Sequence, residues 1–177
     1  HRDLHSFPTR RSSDLILFQR RGRISDKNRK GSALSLVCEL RSGRCFLASL
    51  DHDSEIVASI TNLTERLGIE VGAVSAIGAL KRATIGYYDQ NSHEYRAIEI
   101  AGPVEITSLV GNISIRDGKP FLHAHATLAD SDGNVRGGHL SSGTVFAAEV
   151  YIQELCGRPP TRTHDPTTDL FLWSDAD

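Results

Sequence analysis

The sequence predicts an α+β domain built on a largely antiparallel or mixed β-sheet with one main helix. Three observations carry that prediction. Several segments alternate apolar and polar residues at period two, as half-buried strands do. Only the stretch from Ile56 to Leu67 repeats apolar residues at helical spacing. The links between strand segments are short and carry hairpin chemistry, Asp117-Gly118 most clearly.

Taken in order, Leu34, Leu36, Cys38 and Leu40 recur at period two and predict a strand within 31–43. Ser42-Gly43 reads as a turn into a second strand over 44–50, making a hairpin. Asp53 or Ser54 is placed to cap a helix whose face is Ile56, Ile60, Leu63 and Leu67, with Glu55 and Glu65 off that stripe. Gly68 stands where a left-handed cap ends a helix. Residues 71–80 are small and continuously apolar, which predicts a strand buried on both faces, its glycines admitting close backbone approach. Strands over 83–89 and 94–100 flank the turn Gln90-Asn91-Ser92-His93. A long alternating strand follows over 104–115, with Gly111 marking a bulge. Strands over 121–129 and 144–155 complete the sheet around the turn Asp132-Gly133-Asn134. Residues 157–177 are polar and proline-containing, and predict an extended tail docked through Leu170, Leu172 and Trp173.

The chain has 177 residues, 39% hydrophobic and 24% charged, which suits one folded domain. No apolar run approaches the roughly eighteen residues of a membrane span, and no repeat or heptad pattern is present. Cys38, Cys45 and Cys156 show no CxxC spacing and cannot all pair, which favours a reduced, cytoplasmic setting. There is no methionine, and residues 5–15 resemble the translation of a sequencing-library adapter, so residues 1–15 are set aside from fold reasoning. The remaining divisions are a basic flexible segment over 16–32, a domain over 33–156 and the tail over 157–177.

Charge divides along the same line. Residues 1–44 hold eleven Lys/Arg against four Asp/Glu, and residues 45–177 hold nine against eighteen. Lys and Arg neutralise phosphates in DNA binding, so the acidic body is a poor non-specific DNA binder. The basic segment contains Arg21-Gly22-Arg23, the core of a minor-groove AT-hook. The hook expects proline next, and Ile24 stands there; a solvated basic tail is the plainer reading.

The sharpest chemical constellation is His123-Ala124-His125 with Gly137-Gly138-His139. On a strand, residues i and i+2 share a face, so His123 and His125 project together while Leu122, Ala124 and Ala126 face the core. The turn at Asp132-Gly133 sends the chain back, and the two glycines let His139 approach the pair. Three imidazoles form the ligand set of an open zinc site. The plainer alternative is hydrogen-bonded structural histidines. Glu105, on the apolar stretch Val104-Glu105-Ile106, is a candidate acid/base, and Glu149 a weaker one. Ser75 lacks a nucleophile elbow, and no phosphate-binding glycine loop occurs.

Taken together, Gly72-Ala73-Val74-Ser75-Ala76-Ile77-Gly78-Ala79-Leu80, Tyr87-Tyr88-Asp89, Glu105 to Gly111, Asp117 to His125 and Gly137-Gly138-His139-Leu140 resemble the plants-and-prokaryotes-conserved (PPC) domain, a prokaryotic-type member. Asp165 to Leu170 also resembles bacterial members, with Asp169 where glycine is usual. The resemblance implies a compact subunit that assembles as a homotrimer. It implies a DNA-associated regulatory role in members that carry a hook, and in some members a metal at the positions of His123, His125 and His139. The fold also resembles acetolactate decarboxylase, a fold-level analogy only. Two functions stand side by side. One is a trimeric assembly module with a DNA-associated role. The other is a zinc-dependent enzyme of lyase or hydrolase type, acting on a small molecule with Glu105 as acid/base. A third reading keeps the histidines purely structural, at subunit contacts. No membrane partner is expected.

Overall fold

A computed structural model describes residues 36–174; Arg21-Gly22-Arg23 and the segments assigned to 1–15 and 16–32 lie outside them. The elements are β1 (Arg41–Leu50), α1 (Ile56–Leu67), β2 (Gly72–Asp89), β3 (Glu94–Arg116), β4 (Lys119–Ala129), β5 (Val135–Cys156), β6 (Thr161–Asp165) and β7 (Leu170–Ser174). The sheet runs β1-β5-β2-β3-β6-β7, and β4 pairs with both β3 and β5. Every pairing between strands is antiparallel except β3 with β6. The fold is therefore the predicted mixed, mainly antiparallel sheet with one helix. No helix among the described residues is long and apolar enough to cross a membrane.

Strands β2, β3, β4 and β5 close a circuit, because β2 pairs with β3 and β5 while β4 pairs with the same two. The inward residues of that circuit form the core: Val74 and Leu80 of β2, Ile106 and Leu109 of β3, Leu122 and Leu128 of β4, Val145 and Val150 of β5. Helix α1 lies against β4 and β5. It buries Ile56 and Ile60 completely, and each such side chain contributes roughly 1.5–3 kcal/mol of apolar burial.

The helix start differs from expectation. Glu55, not Asp53 or Ser54, is the cap; its carboxylate accepts from Val57 N at 3.2 Å and Ala58 N at 2.6 Å. Asp53 instead pairs with Lys81, and Ser54 Oγ donates to the Asp51 carbonyl. Glu55 also accepts from Gly143 N at 3.0 Å, so one carboxylate ties the helix to β5. Gly68 closes the helix in the predicted left-handed conformation, φ 67°.

Other boundaries shift for physical reasons. The predicted hairpin before the helix is absent: residues 36–40 form no strand, and Ser42-Gly43 lie inside β1, where the register to β5 slips. Residues 71–80 are not buried on both faces; Val74, Ala76 and Leu80 face the core while Ile77 is 58% exposed. Small residues on both sides hid the alternation. The strands predicted over 83–89 and 71–80 are one strand, and those over 94–100 and 104–115 likewise, bent by register slips rather than interrupted. Gly111 is not a bulge. It pairs in register with Val74 and Ala124, and a Cβ there would meet the His123 carbonyl at 2.5 Å. Asp117-Gly118 is the predicted turn, with φ positive at both residues. The final segment is a β6–β7 hairpin added to the sheet rather than an extended tail. Asp169 has φ 56°, the left-handed conformation glycine adopts readily.

Arg44 on β1 fastens the far edge. Its Nε and Nη2 each donate to Glu154 of β5 at 2.7 Å, and Nη2 also donates to the Leu67 carbonyl at 2.8 Å. The side-chain and backbone hydrogen bonds from Arg44 hold the Glu154 carboxyl down to about 2.

Two outcomes test these contacts. Glu55→Ala loses the cap and the Gly143 link and should cost about 1–3 kcal/mol by urea denaturation, while Glu55→Gln retains an accepting oxygen and most of the stability. Glu154 has a folded value below its unfolded 4.5, so its contribution is present above pH 4.5 and lost as pH falls through about 2. Thermal melting from pH 5 to 2 should therefore weaken wild type more steeply than Glu154→Gln.

Candidate metal centre

The site begins with a pairing. His125 of β4 lies directly opposite His139 of β5, and opposed residues on neighbouring strands project to one side with Cβ atoms about 4.5–5.5 Å apart. His123, two residues before His125, shares that side. The ring centroids are 5.4 Å apart for His123–His125, 5.2 Å for His123–His139 and 5.7 Å for His125–His139. One ring nitrogen of each lies within 4.8 Å of the others, so the cluster could hold a metal ion. His139 returns to the pair as expected, but on a strand rather than a turn: β5 begins at Val135, nine residues before the expected start at 144.

The glycines beside His139 explain how. At His139, β5 is registered against β4 through His125 and against β2 through Gly86. A Cβ on Gly138 would meet the Gly86 carbonyl oxygen at 2.7 Å, so the two strands meet only because that residue has no side chain.

The donor chemistry fits a cation. Burial first, then Arg162 and the neighbouring imidazoles, hold His123 down to about 4. Burial, His125 and Arg162 lower His139 likewise. Both rings are therefore neutral at neutral pH and keep a lone pair. The Nδ1 of His139 is buried and has no hydrogen-bond partner. A buried polar atom left bare is costly, and coordination would satisfy it. Neutral imidazole nitrogens suit zinc and other late transition metals.

The surroundings include residues the sequence reading missed. Arg162, on β6, is 9% exposed. Its Nε donates to Ser114 Oγ at 2.9 Å and its Nη1 to the Phe171 carbonyl at 3.0 Å. Its Nη2 donates to Asn112 Oδ1 at 3.1 Å and meets His123 Nδ1 at 3.3 Å. Arginine is donor-only, so in this arrangement Nδ1 of His123 is the acceptor. Asn112 lies opposite His123 on β3. Tyr95 places its ring 5.4 Å from His139, and its neighbour Tyr88 donates to the Thr168 carbonyl, linking β2 to the β6–β7 hairpin. No local signal in the sequence marks Arg162; the parallel pairing of β6 with β3 brings it in.

Glu105 is placed elsewhere. It is exposed and pairs with Ala129, four positions along β4 from His125, about 13 Å at strand spacing. Glu149 lies on β5 opposite Ser49 and Ile77 and also stands apart from the histidines. Within one chain, neither carboxylate joins the cluster.

Comparison with known proteins agrees with this architecture. A metal-containing protein of Archaeoglobus fulgidus is 46% identical, with a TM-score of 0.77 over 80% of this chain and 100% of that one. A plant- and prokaryote-conserved (PPC) protein of Pyrococcus horikoshii is 37% identical, with a TM-score of 0.76 over 81% and 99%. A Bacteroides thetaiotaomicron protein described as a candidate DNA-binding protein is 26% identical, with a TM-score of 0.70 over 76% and 96%. The bifunctional protein GlmU of a Synechococcus strain is 29% identical over 117 residues, 64% of this chain; the chain spans only 17% of that protein. The model of the Plants and Prokaryotes Conserved (PCC) domain matches residues 38–156, which run from just before β1 to the end of β5 and contain all three histidines. By that match and by its fold, the chain belongs to the PCC domain family.

Proposed function

We propose that this protein is a homotrimeric metal protein that binds zinc through His123, His125 and His139 and acts on a small molecule there. The observation that carries the reading is the convergence of three imidazoles, each with one ring nitrogen within 4.8 Å of the others. The description of the Archaeoglobus relative as metal-containing supports it. His123, His125 and His139 would hold the ion, and zinc bound by neutral imidazoles would keep its full charge and could supply an activated water or a polarised carbonyl. The chain supplies the rest. β4 and β5 fix the imidazoles, and Arg162 orients His123 through Nδ1. The β6–β7 hairpin carries Arg162 and sets the Trp173 ring 5.5 Å from its guanidinium. Glu105 serves as acid/base in this reading only if a second subunit brings it to the histidines.

Trimer formation is supported by one face of the sheet. Leu47, Tyr151, Ser75, Val110 and His125 form a row across β1, β5, β2, β3 and β4. Leu47 is 84% exposed, Val110 59% and nearby Ile77 58%. A cluster of that kind on an isolated chain marks a contact surface. The small apolar residues of 71–80, read as buried on both faces, become so if this face is covered.

A DNA-associated role is the second reading, favoured by the description of the Bacteroides relative. The charge of residues 45–177 opposes direct contact.

Two measurements test the proposal. Metal analysis of the purified chain should find about one zinc per subunit, and His139→Ala should lose most of it; zinc-free wild type, or a variant that keeps its zinc, would overturn the metal centre. Light scattering should give the mass of three chains, with Leu47→Asp/Ile77→Asp shifting it towards a folded monomer. A monomeric wild type would remove the assembly reading.

A further inference from the structure

The guanidinium of Arg162 is nearly buried, and among the described residues no carboxylate pairs with it. Its four contacts go to a hydroxyl, a backbone carbonyl, a side-chain amide and an imidazole, all neutral. A second cation, Arg116, acts on it; Arg116 stacks on Phe171, and its one carboxylate partner among the described residues is the exposed Asp117, at 3.6 Å. Phe121 and Trp173 stand 5.7 and 5.5 Å from the guanidinium carbon and help exclude water. A buried cation with neutral partners alone is costly. Of its five N–H groups, the four contacts use one on Nε, one on Nη1 and both on Nη2, leaving one on Nη1. The Nη2 contact to His123 is the longest of the set. The cation thus touches the histidine cluster while its charge is uncompensated.

We propose that Arg162 is the anion-binding residue of this same site and receives the carboxylate of a small organic acid whose remaining polar group faces the three imidazoles. The inference deepens the metal-centre reading and rests on it for the placement of the second polar group. Arginine donors and carboxylate oxygens form charge-assisted bonds stronger than the neutral ones now made. The β6–β7 hairpin is then part of the binding site, since it carries Arg162 and the aromatic ring beside it.

The test uses the full chain, as purified and after treatment with a chelator, titrated with glycolate, with ethylene glycol as the uncharged isostere and with inorganic phosphate. Calorimetry should show glycolate binding at least tenfold more tightly than ethylene glycol. The Arg162 Nε–H resonance should shift on titration. Compared after chelator treatment of both proteins, Arg162→Met should bind glycolate at least tenfold more weakly than wild type, and Arg162→Lys should retain part of the affinity. Equal affinity for glycolate and ethylene glycol in wild type overturns the proposal, whether or not the variants fold. So does an Arg162→Met variant that binds glycolate as wild type does while melting at lower temperature, which is the mark of a structural arginine. Tighter phosphate than glycolate binding overturns the carboxylate assignment. If the protein proves zinc-free, the metal reading falls separately, and the glycolate shift at Arg162 Nε–H in the metal-free protein still decides the anion subsite.

Discussion

At His139 one strand answers to two neighbours, and the site depends on that double registration. Residues 135–139 of β5 pair with β4, and from His139 onward β5 pairs with β2. A strand can change partners this way only where the three backbones come close, and Gly138 against the Gly86 carbonyl is that place. The same geometry closes the four-stranded circuit around the core and sets His139 opposite His125. Fold closure and site assembly are therefore one event. A side chain at position 138 would disturb both, because moving β5 off Gly86 also moves His139 off the pair.

Electrostatics at the cluster run against the character of the rest of the domain. The body is acidic in sum, yet the groups converging on His123 are two imidazoles, a buried guanidinium and, one step further, Arg116. Burial and these cations keep protons off His123 and His139, and so keep nitrogen lone pairs open. The same cations favour a negatively charged visitor. Arg162 enters on the hairpin β6–β7, which joins the sheet edge through Thr161 and Arg162 and is tied back by Tyr88 to the Thr168 carbonyl. Its turn uses Asp169 in a left-handed conformation, with the side chain 2.6 Å from His164 Nε2.

The parts legible in the sequence were those set by local rules. The helix face, the Gly68 cap and the Asp117-Gly118 turn follow from spacing and from backbone conformations that particular residues accept. The histidine set was legible because two of its members are two residues apart on a strand and the third follows a turn and two glycines. What the sequence hid was long-range or compositional. Arg162 reaches Asn112 and His123 through a parallel pairing nearly fifty residues away in sequence, which no local pattern encodes. The Glu55 cap was hidden because Asp53 and Ser54 are better caps by type; tertiary contacts with Lys81 and the Asp51 carbonyl engage them instead. Glu105 stands out because a carboxylate interrupts an apolar run; that run merely alternates, and within one chain its outward position leaves it four pairs from the histidines.

The exposed row across the sheet ties the two halves of the functional reading together. It begins at Leu47 on the edge strand and ends at His125, itself an exposed member of the cluster. In one chain, His123 and His139 are half-buried and His125 is open to solvent. A surface that covers Val110 and Ile77 must come up beside His125, since Val110 pairs with it directly. Assembly would then remove solvent from the third imidazole and strengthen the electrostatics at the cluster. It would also present outward-facing groups such as Glu105 to neighbouring subunits. On the proposed reading a trimer would complete the pocket, and a chain held monomeric would keep its three histidines yet lack one wall of the site.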